Sequence, residues 1–275
     1  MDKGDDTVAW YRSLGEIIDG LESEQFLEHF IERFGRLVAF DLATIFVYRG
    51  RSRPLVVYDN FQLAGARRGI AAYVESSYVL NPFYQAYLKG IGPGVYRIRD
   101  LAPDAFFESE YYKSYRALPR ASEEIGFITD GWPEGMEEAL IVFALDDGEI
   151  AELGIYRDLA GGGFSDGELA RIAAVEPALG AVFRKYWAAA GGAQASPPDS
   201  RVDDAFAGFG EEILSDRERQ VMRMILHGHS SESICFNLGI SLGTVKTHRK
   251  HAYAKLGISS QSELLSLFLQ SLQAL

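Results

Sequence analysis

The segment of residues 230–258, SSESICFNLGISLGTVKTHRKHAYAKLGI, constrains the fold more than any other part of the chain. A short helix is predicted before Gly239, which ends it because glycine tolerates the left-handed backbone conformation. Ser241 is a typical helix N-cap, so a second helix is predicted to follow it and to end at Gly257. Two short helices joined by a tight turn are typical of a helix-turn-helix.

The second of these helices has two opposite faces when successive residues are placed about 100° apart. Val245, Ala252 and Leu256 fall within a narrow arc and form a predicted buried stripe. The opposite arc is small, polar or basic and comprises Gly243, Lys246, Thr247, Lys250 and Ala254. Small residues let a helix lie deep in a DNA groove, and two lysines one turn apart reach guanine O6 and N7. Arg249 lies to the side, where it is better placed for a phosphate.

The charge of the chain is unevenly distributed, which removes an apparent conflict with DNA binding. The net charge is −12, but residues 1–210 carry 20 Lys and Arg against 33 Asp and Glu, a net −13. Residues 211–275 carry 7 and 6, a net +1, and no acidic residue occurs between Ser233 and Ser262. A local basic stripe attracts phosphates even in an acidic protein. The alternative to DNA binding is that this helix packs in an ordinary α-helical bundle and that its basic face is simply exposed to solvent.

Residues 214–269 resemble the four-helix DNA-binding domain of LuxR-type regulators. The residues that carry the resemblance are Leu214, Glu218, Arg219, Val221, Gly228, Ile234, Leu238, Gly239, Ile240, Ser241, Thr244, Val245, Lys246, His248, Lys255, Leu256 and Gly257. The resemblance implies a homodimer that binds a two-fold symmetric site on double-stranded DNA, with residues 243–256 as the recognition helix. It also implies RNA polymerase as a partner.

By the same resemblance, each polar residue of the recognition helix receives a role. Lys246, Thr247 and Lys250 are implied to face bases, and the residues implied to serve phosphates or helix packing are Thr244, His248 and Arg249. The chain departs from the family at Glu232 and Ser233, where the family commonly has a Lys-Glu pair. A glutamate near the DNA backbone repels phosphate, so contacts from the first helix of the motif are not expected to follow the family.

Residues 189–209, AAGGAQASPPDSRVDDAFAGF, are small, polar and rich in Pro and Gly, and they predict a linker. We therefore expect a ligand-sensing and dimerisation domain over residues 1–188 and the DNA-binding domain over residues 210–275. Strands are predicted at residues 42–48, 54–58, 123–129, 138–145 and 150–156, and helices at 26–38, 69–90, 103–117 and 166–187. The fold class is α+β: a GAF/PAS-like sensory domain, with a mostly antiparallel sheet flanked by helices, precedes an all-α four-helix helix-turn-helix domain.

Helix starts are marked by three capping boxes, in which a serine precedes a glutamate by three residues. These pairs are Ser165 and Glu168, Ser215 and Glu218, and Ser260 and Glu263. Pro177 falls inside the helix that the first pair opens, and it is expected to kink or divide that helix.

Aromatic side chains are concentrated between Tyr58 and Tyr115, which hold nine of the 14 tyrosines. Phenol rings suit an enclosed organic ligand, because the rings supply contact area and the hydroxyls orientation. They are equally suited to a core or a dimer surface. LuxR-type sensors of acyl-homoserine lactones use a Trp, a Tyr, an Asp-Pro pair and a second Trp. YVLNPFY at residues 78–84 resembles the Asp-Pro region with Asn81 in place of the aspartate.

The predicted ligand-binding residues are Tyr73, Asn81, Tyr84 and Tyr96. Tyr96 stands about where the second Trp of the lactone sensors lies, and Tyr73 is one residue away from their Tyr position. A carboxylate binds a ligand N–H more strongly than an amide oxygen does. We therefore expect a small organic ligand other than a lactone, with an acyl-homoserine lactone as the alternative.

Several other functions are weighed against this one. A phosphorylation-controlled response regulator would need the acidic pair Asp5-Asp6 after a strand, and the sequence predicts none there. Residues 239–243, GISLG, match a hydrolase nucleophile elbow, but that motif needs a preceding strand. An enzymatic N-terminal domain remains an alternative. Otherwise we predict no enzyme activity, no cofactor and no metal site.

The remaining composition bounds the cellular setting. The single cysteine, Cys235, excludes an internal disulfide and suits a reducing compartment, where a buried, inert thiol is expected. The N-terminal residues lack the apolar core of a signal peptide, and no apolar run approaches the roughly 20 residues that span a bilayer. These features predict a cytoplasmic protein without a membrane partner.

Overall fold

A computed structural model describes residues 3–61, 70–71, 73–74, 77–105, 135–192 and 208–273. The predicted strand at residues 123–129, most of the predicted helix at 103–117 and most of the linker lie outside the described residues. Contacts divide the chain into two compact units. The sheet unit comprises residues 1–63, 92–97 and 135–198, and the helical unit comprises residues 64–91, 98–134 and 199–275. The domain boundaries expected from the sequence stay a prediction.

The sheet unit is built on an antiparallel sheet, which confirms the predicted fold class. Its strands among the described residues are β1 (Leu42–Tyr48), β2 (Leu55–Asp59), β3 (Gly94–Arg97), β4 (Met136–Ala144) and β5 (Ile150–Asp158). The strand order is β2-β1-β5-β4-β3, and each neighbouring pair is antiparallel. Strands β1, β2, β4 and β5 are predicted within two residues at each end, whereas β3 is not predicted from the sequence.

Hairpins connect β1 with β2 and β4 with β5, where turn residues interrupt the apolar runs. Between β4 and β5, Asp147 has a φ of 57°, a conformation that Asp tolerates better than most residues. The turn is closed by the Leu145 amide, which donates to the Glu149 carbonyl at 2.9 Å. This is the hairpin turn that Asp146, Asp147 and Gly148 predict.

Three helices cover one face of the sheet and form the apolar core with it. They are α1 (Lys3–Asp19), α2 (Phe26–Phe34) and α5 (Asp166–Ala189). Helix α5 is continuous through Pro177, so the expected division of this helix is wrong. Its buried positions Leu179, Val182 and Phe183 belong to the core, and this packing outweighs the hydrogen bond that proline lacks. No helix among the described residues is long and apolar enough to cross a membrane.

The helical unit contains α3 (Pro82–Leu88), α4 (Ile98–Leu101), α6 (Asp216–Leu226), α7 (Ser231–Leu238), α8 (Leu242–Leu256) and α9 (Gln261–Gln273). Ser215 and Glu218 form the predicted capping box of α6, as Ser165 and Glu168 do for α5. At α9 the Ser260 hydroxyl accepts from the Glu263 amide, but the glutamate carboxylate accepts from Ser259 instead. Helices α6 to α9 form the all-α helix-turn-helix domain expected from the sequence.

Candidate DNA-binding surface and ligand site

Helix α8 is held at both ends by local backbone chemistry. The Ser241 hydroxyl accepts a hydrogen bond from the Thr244 amide at 3.1 Å, which satisfies one free N–H of the first turn. Gly239 and Gly257 have φ values of 64° and 70°, so each glycine ends a helix in the left-handed conformation. The start and end of the predicted recognition helix are therefore confirmed.

The two faces of α8 differ in burial as its sequence predicts. Val245 and Ala252 are fully buried, and Leu256 is half-buried. The residues of the opposite face are all exposed: Gly243, Lys246, Thr247, Lys250 and Ala254. Because the buried face fixes the rotation of the helix, the lysines project to solvent, where DNA can reach them. Contact of these side chains with bases stays a prediction.

The three residues expected to contact phosphate differ in solvent exposure, unlike the base-facing residues, which are all exposed. Arg249 is exposed, whereas Thr244 and His248 are half-buried. Thr244 Oγ1 lies 2.7 Å from Ser241 Oγ, so its hydroxyl already takes part in the helix cap. This geometry favours a packing role for Thr244 and leaves Arg249 available to a phosphate.

The first helix of the motif, α7, carries a carboxylate at its N-terminus. The Asp104 carboxylate accepts hydrogen bonds from the Ser230 amide, at 3.0 Å, and from the Ser230 hydroxyl. Burial would raise the pKa of Asp104, but these hydrogen bonds outweigh it and hold the pKa below its usual value. A helix N-terminus favours anions, so this carboxylate occupies a position that suits a DNA phosphate.

Histidines near the motif do not assemble a metal site in the part of the chain that the structure describes. No group of three or more His, Cys, Asp or Glu side chains there could hold a metal ion. His227 is half-buried with its Nε2 enclosed, and this burial lowers its pKa to about 3, so it remains neutral. Cys235, for which a buried thiol is expected, is half-buried.

Two of the predicted ligand residues contact each other. Asn81 Nδ2 donates to the Tyr73 hydroxyl at 3.2 Å, while Asn81 Oδ1 accepts from the Phe83 amide at 2.8 Å. The second bond makes Asn81 the N-cap of α3, with Pro82 at the first helical position. Asn81 therefore has a structural role whether or not it also contacts a ligand.

The other two predicted ligand residues lie in different surroundings. Tyr84 is buried, and its ring packs edge-on against Tyr78 with 4.9 Å between the centroids. Tyr96 belongs to β3 of the sheet unit, and its hydroxyl donates to the Gly92 carbonyl at 3.0 Å. These contacts neither require nor exclude a bound ligand, so ligand binding by all four residues stays a prediction.

Sequence reasoning missed a polar cluster on the sheet. Glu138 accepts a hydrogen bond from the Tyr156 hydroxyl, and Glu152 accepts one from the Tyr48 hydroxyl, both at 2.8 Å. An acidic residue inside each of two otherwise apolar strands, EALIVFAL and IAELGIY, was the available signal. A charge seldom occupies a buried strand unless it has a partner or a function.

This fold and surface define a class of protein: a regulator whose chain combines a DNA-binding helix-turn-helix with an α+β domain. Residues 212–268 match the family model of bacterial regulatory proteins of the luxR family. A putative HTH-type transcriptional regulator of Aeromonas salmonicida is 32% identical over 205 residues, which cover 70% of this chain and 94% of the relative. The chain belongs to the LuxR family of transcriptional regulators.

Other known proteins are similar to this chain only in the DNA-binding domain or only in fold. The transcriptional regulatory protein FixJ of Azorhizobium caulinodans is 36% identical over 76 residues, which are 27% of this chain and 36% of FixJ. The crystal structure of the VqsR LBD domain from Pseudomonas aeruginosa aligns with a TM-score of 0.50 at 19% identity. That alignment covers 65% of this chain and 96% of the VqsR chain, and it supports the α+β fold.

Proposed function

We propose that this protein is a ligand-responsive regulator that binds a two-fold symmetric DNA operator as a homodimer. The observation that carries DNA recognition is the exposed face of α8, where Lys246 and Lys250 lie opposite the buried Val245 and Ala252. A helix fixed in this way presents its polar side chains to the major groove. Base-specific recognition by Lys246, Thr247 and Lys250 follows from that orientation.

Dimer formation is supported by the size of a single recognition helix, which covers few base pairs. Two helices related by a two-fold axis read half-sites whose centres lie about 10 base pairs apart, one helical turn. The test is selection from random-sequence DNA with the full-length protein, followed by footprinting. A palindromic site protected over both half-sites is expected. An isolated half-site bound by a monomer would contradict the proposal.

Ligand response is supported by buried tyrosines in both units. Tyr73, Tyr78 and Tyr84 are buried in the helical unit, and Tyr48 and Tyr156 are buried in the sheet unit. A ligand that favours one dimer arrangement changes DNA affinity by its difference in affinity for the two arrangements. Mass spectrometry of small molecules released from the purified protein, followed by DNA titrations with and without each molecule, tests this. An operator affinity that no released or added molecule changes would contradict it.

The phosphorylation-controlled alternative loses support from the sheet. Receiver domains have a doubly wound, parallel sheet, whereas every strand pair in the described sheet is antiparallel. We therefore keep the ligand-responsive regulator as the proposal.

A further inference from the structure

One face of the sheet carries buried ionisable side chains where an apolar surface would be expected. The opposite face, with Ile45, Ile141 and Leu153, belongs to the apolar core. The residues that alternate with them define what we call the acidic face: Thr44 and Tyr48 on β1, Glu138 on β4, and Glu152 and Tyr156 on β5. Thr44 and Tyr48 are fully buried, and Glu152 is 2% exposed.

The strand register brings these side chains together. Glu138 lies directly opposite Tyr156, and the Tyr156 hydroxyl lies 2.8 Å from Glu138 Oε1 and 3.4 Å from Thr44 Oγ1. Gly154 leaves the room for this arrangement, because a Cβ there would lie 2.9 Å from Thr44 Oγ1 and 3.0 Å from the Tyr156 hydroxyl. The positions of the tyrosine and the glutamate thus depend on a glycine between them.

The carboxyl groups of this face have no positively charged partner in the part of the chain that the structure describes. Among the residues that the structure describes, neither Glu138 nor Glu152 forms an ion pair with Lys, Arg or His. Each accepts one hydrogen bond from a tyrosine, although a carboxylate has room for about four. Asp59 lies opposite Thr44, hence on the same face, and its Oδ1 is buried with no hydrogen-bond partner among the described residues.

Without a bound partner, ionisation of these carboxyls is unfavourable. Burial raises the pKa of Glu138 to about 7, and burial together with the charge of Glu138 raises the pKa of Glu152 to about 8. Glu138 is half-buried, so part of its side chain remains within reach of a ligand. Buried carboxyls are stabilised by a cation, and the aromatic rings around them add cation–π attraction.

We infer that the acidic face binds an organic cation, and that the ligand of this regulator carries a protonated amine recognised by Glu138 and Glu152. This inference rests on the proposed ligand response and adds the chemical class of the ligand. Tyr48 and Tyr156 contact the carboxyls through their hydroxyls, and Phe61 packs edge-on against Tyr156 with 5.3 Å between the ring centroids. These rings suit the apolar part of such a ligand. A neutral acyl-lactone would leave the carboxyls without a counter-charge.

The test compares benzylamine, tyramine and tryptamine with benzyl alcohol, tyrosol and tryptophol, their neutral counterparts, on the full-length protein. Thermal shift at millimolar concentrations is expected to show stabilisation by at least one amine and not by its alcohol. Calorimetry in two buffers of different ionisation enthalpy is expected to show proton release, because the cation favours the ionised carboxyls. Amines and alcohols that act alike, including a complete lack of effect, would overturn the inference.

The pH dependence sharpens the test. The pKa of Glu138 near 7 predicts that amine affinity rises at least about tenfold from pH 6 to pH 8, since the free carboxyl must lose its proton; ionisation of Glu152, with a pKa of about 8, adds to this rise. Asp59, Glu152, Tyr48 and Tyr156 are the other titratable groups on this face. An affinity that is constant over this range would contradict recognition by these carboxyls.

Variants distinguish amine binding at Glu138 and Glu152 from a general effect of the protein's charge. Glu138→Gln and Glu152→Gln are expected to lower amine affinity at least tenfold while the protein stays folded, because a neutral amide relieves the burial of charge. Glu24→Gln, at an exposed carboxyl of the same unit, is the matched control and should bind amines like wild type. Wild-type affinity in both site variants would overturn the inference. A neutral molecule that stabilises the protein and changes its operator affinity would leave the proposed function standing and this inference refuted.

Discussion

Lys255, in the last turn of the recognition helix α8, donates a hydrogen bond to Glu218 of helix α6, with 2.7 Å between Nζ and Oε2. The same carboxylate accepts from the Ser215 amide at 2.8 Å and so completes the capping box of α6. Burial would raise the pKa of Glu218, but the bonds from Lys255 and Ser215 outweigh it and lower the pKa to about 2. One buried carboxylate thus joins the start of α6 to the end of α8.

Glu218→Gln is expected to destabilise the DNA-binding domain by about 1–2 kcal/mol at pH 7. The loss is limited because Lys255 is half-exposed, so solvent already screens its ion pair with Glu218. A lowered folded-state pKa stabilises the fold above the unfolded pKa near 4.5, and this contribution is lost as the pH falls toward 2. Calorimetric unfolding from pH 7 to pH 2 should therefore show a flatter acid limb in the variant. Glu263→Gln, at an exposed helix start, is the control, and an equal effect there would contradict the prediction.

Lys250→Ala is expected to weaken binding to the selected operator by about 1–3 kcal/mol and to relax discrimination at one base pair. The physical reason is the loss of bidentate hydrogen bonds to a base edge. Fluorescence anisotropy with operators changed at single positions measures both effects. An equal loss on every sequence would contradict a base contact.

Arg249→Ala should behave differently, because its side chain is expected to reach a phosphate. It should weaken binding to all sequences alike and reduce the slope of log affinity against log salt by about one unit. Titrations of specific and unrelated DNA at several salt concentrations provide the comparison with Lys250→Ala. A change confined to one base position would reverse the two assignments.

Asn81→Ala is expected to lower stability by about 0.5–2 kcal/mol, because helix α3 loses its N-cap acceptor. Asn81→Ser keeps a capping oxygen and removes only the amide donor to Tyr73, so its stability should stay close to wild type. Thermal unfolding of both variants distinguishes the cap from other roles. Equal melting temperatures for Asn81→Ala and wild type would show that the cap contributes little.

Asp104→Ala should tighten DNA binding about two- to fivefold, because it removes a negative charge from the N-terminus of α7. The first helix of a helix-turn-helix crosses the DNA backbone, where a carboxylate repels phosphate. Asp100→Ala removes an exposed carboxylate from the same segment and serves as the control. Tighter binding by both variants to the same degree would indicate a general effect of net charge.

The helix-turn-helix was predictable because its signals are local. Ser215 and Ser241 cap helices through bonds to residues three positions away, and Gly239 adopts a backbone conformation that few residues tolerate. The spacing of Val245 and Ala252 sets the buried face of α8. Strand β3 was not predictable in the same way, because four residues, GVYR, are too short to show alternation.

The sequence alone determined the class of the DNA-binding domain, its helix ends and the exposed lysines, since these depend on neighbours within one or two turns. Only the tertiary structure decided that Glu138 meets Tyr156, that Glu152 meets Tyr48, and that Asp104 meets Ser230. These partners are far apart in the chain, and a shift of one residue in strand register would turn each glutamate to the opposite face. Register is set by packing of the whole sheet, which no local pattern contains.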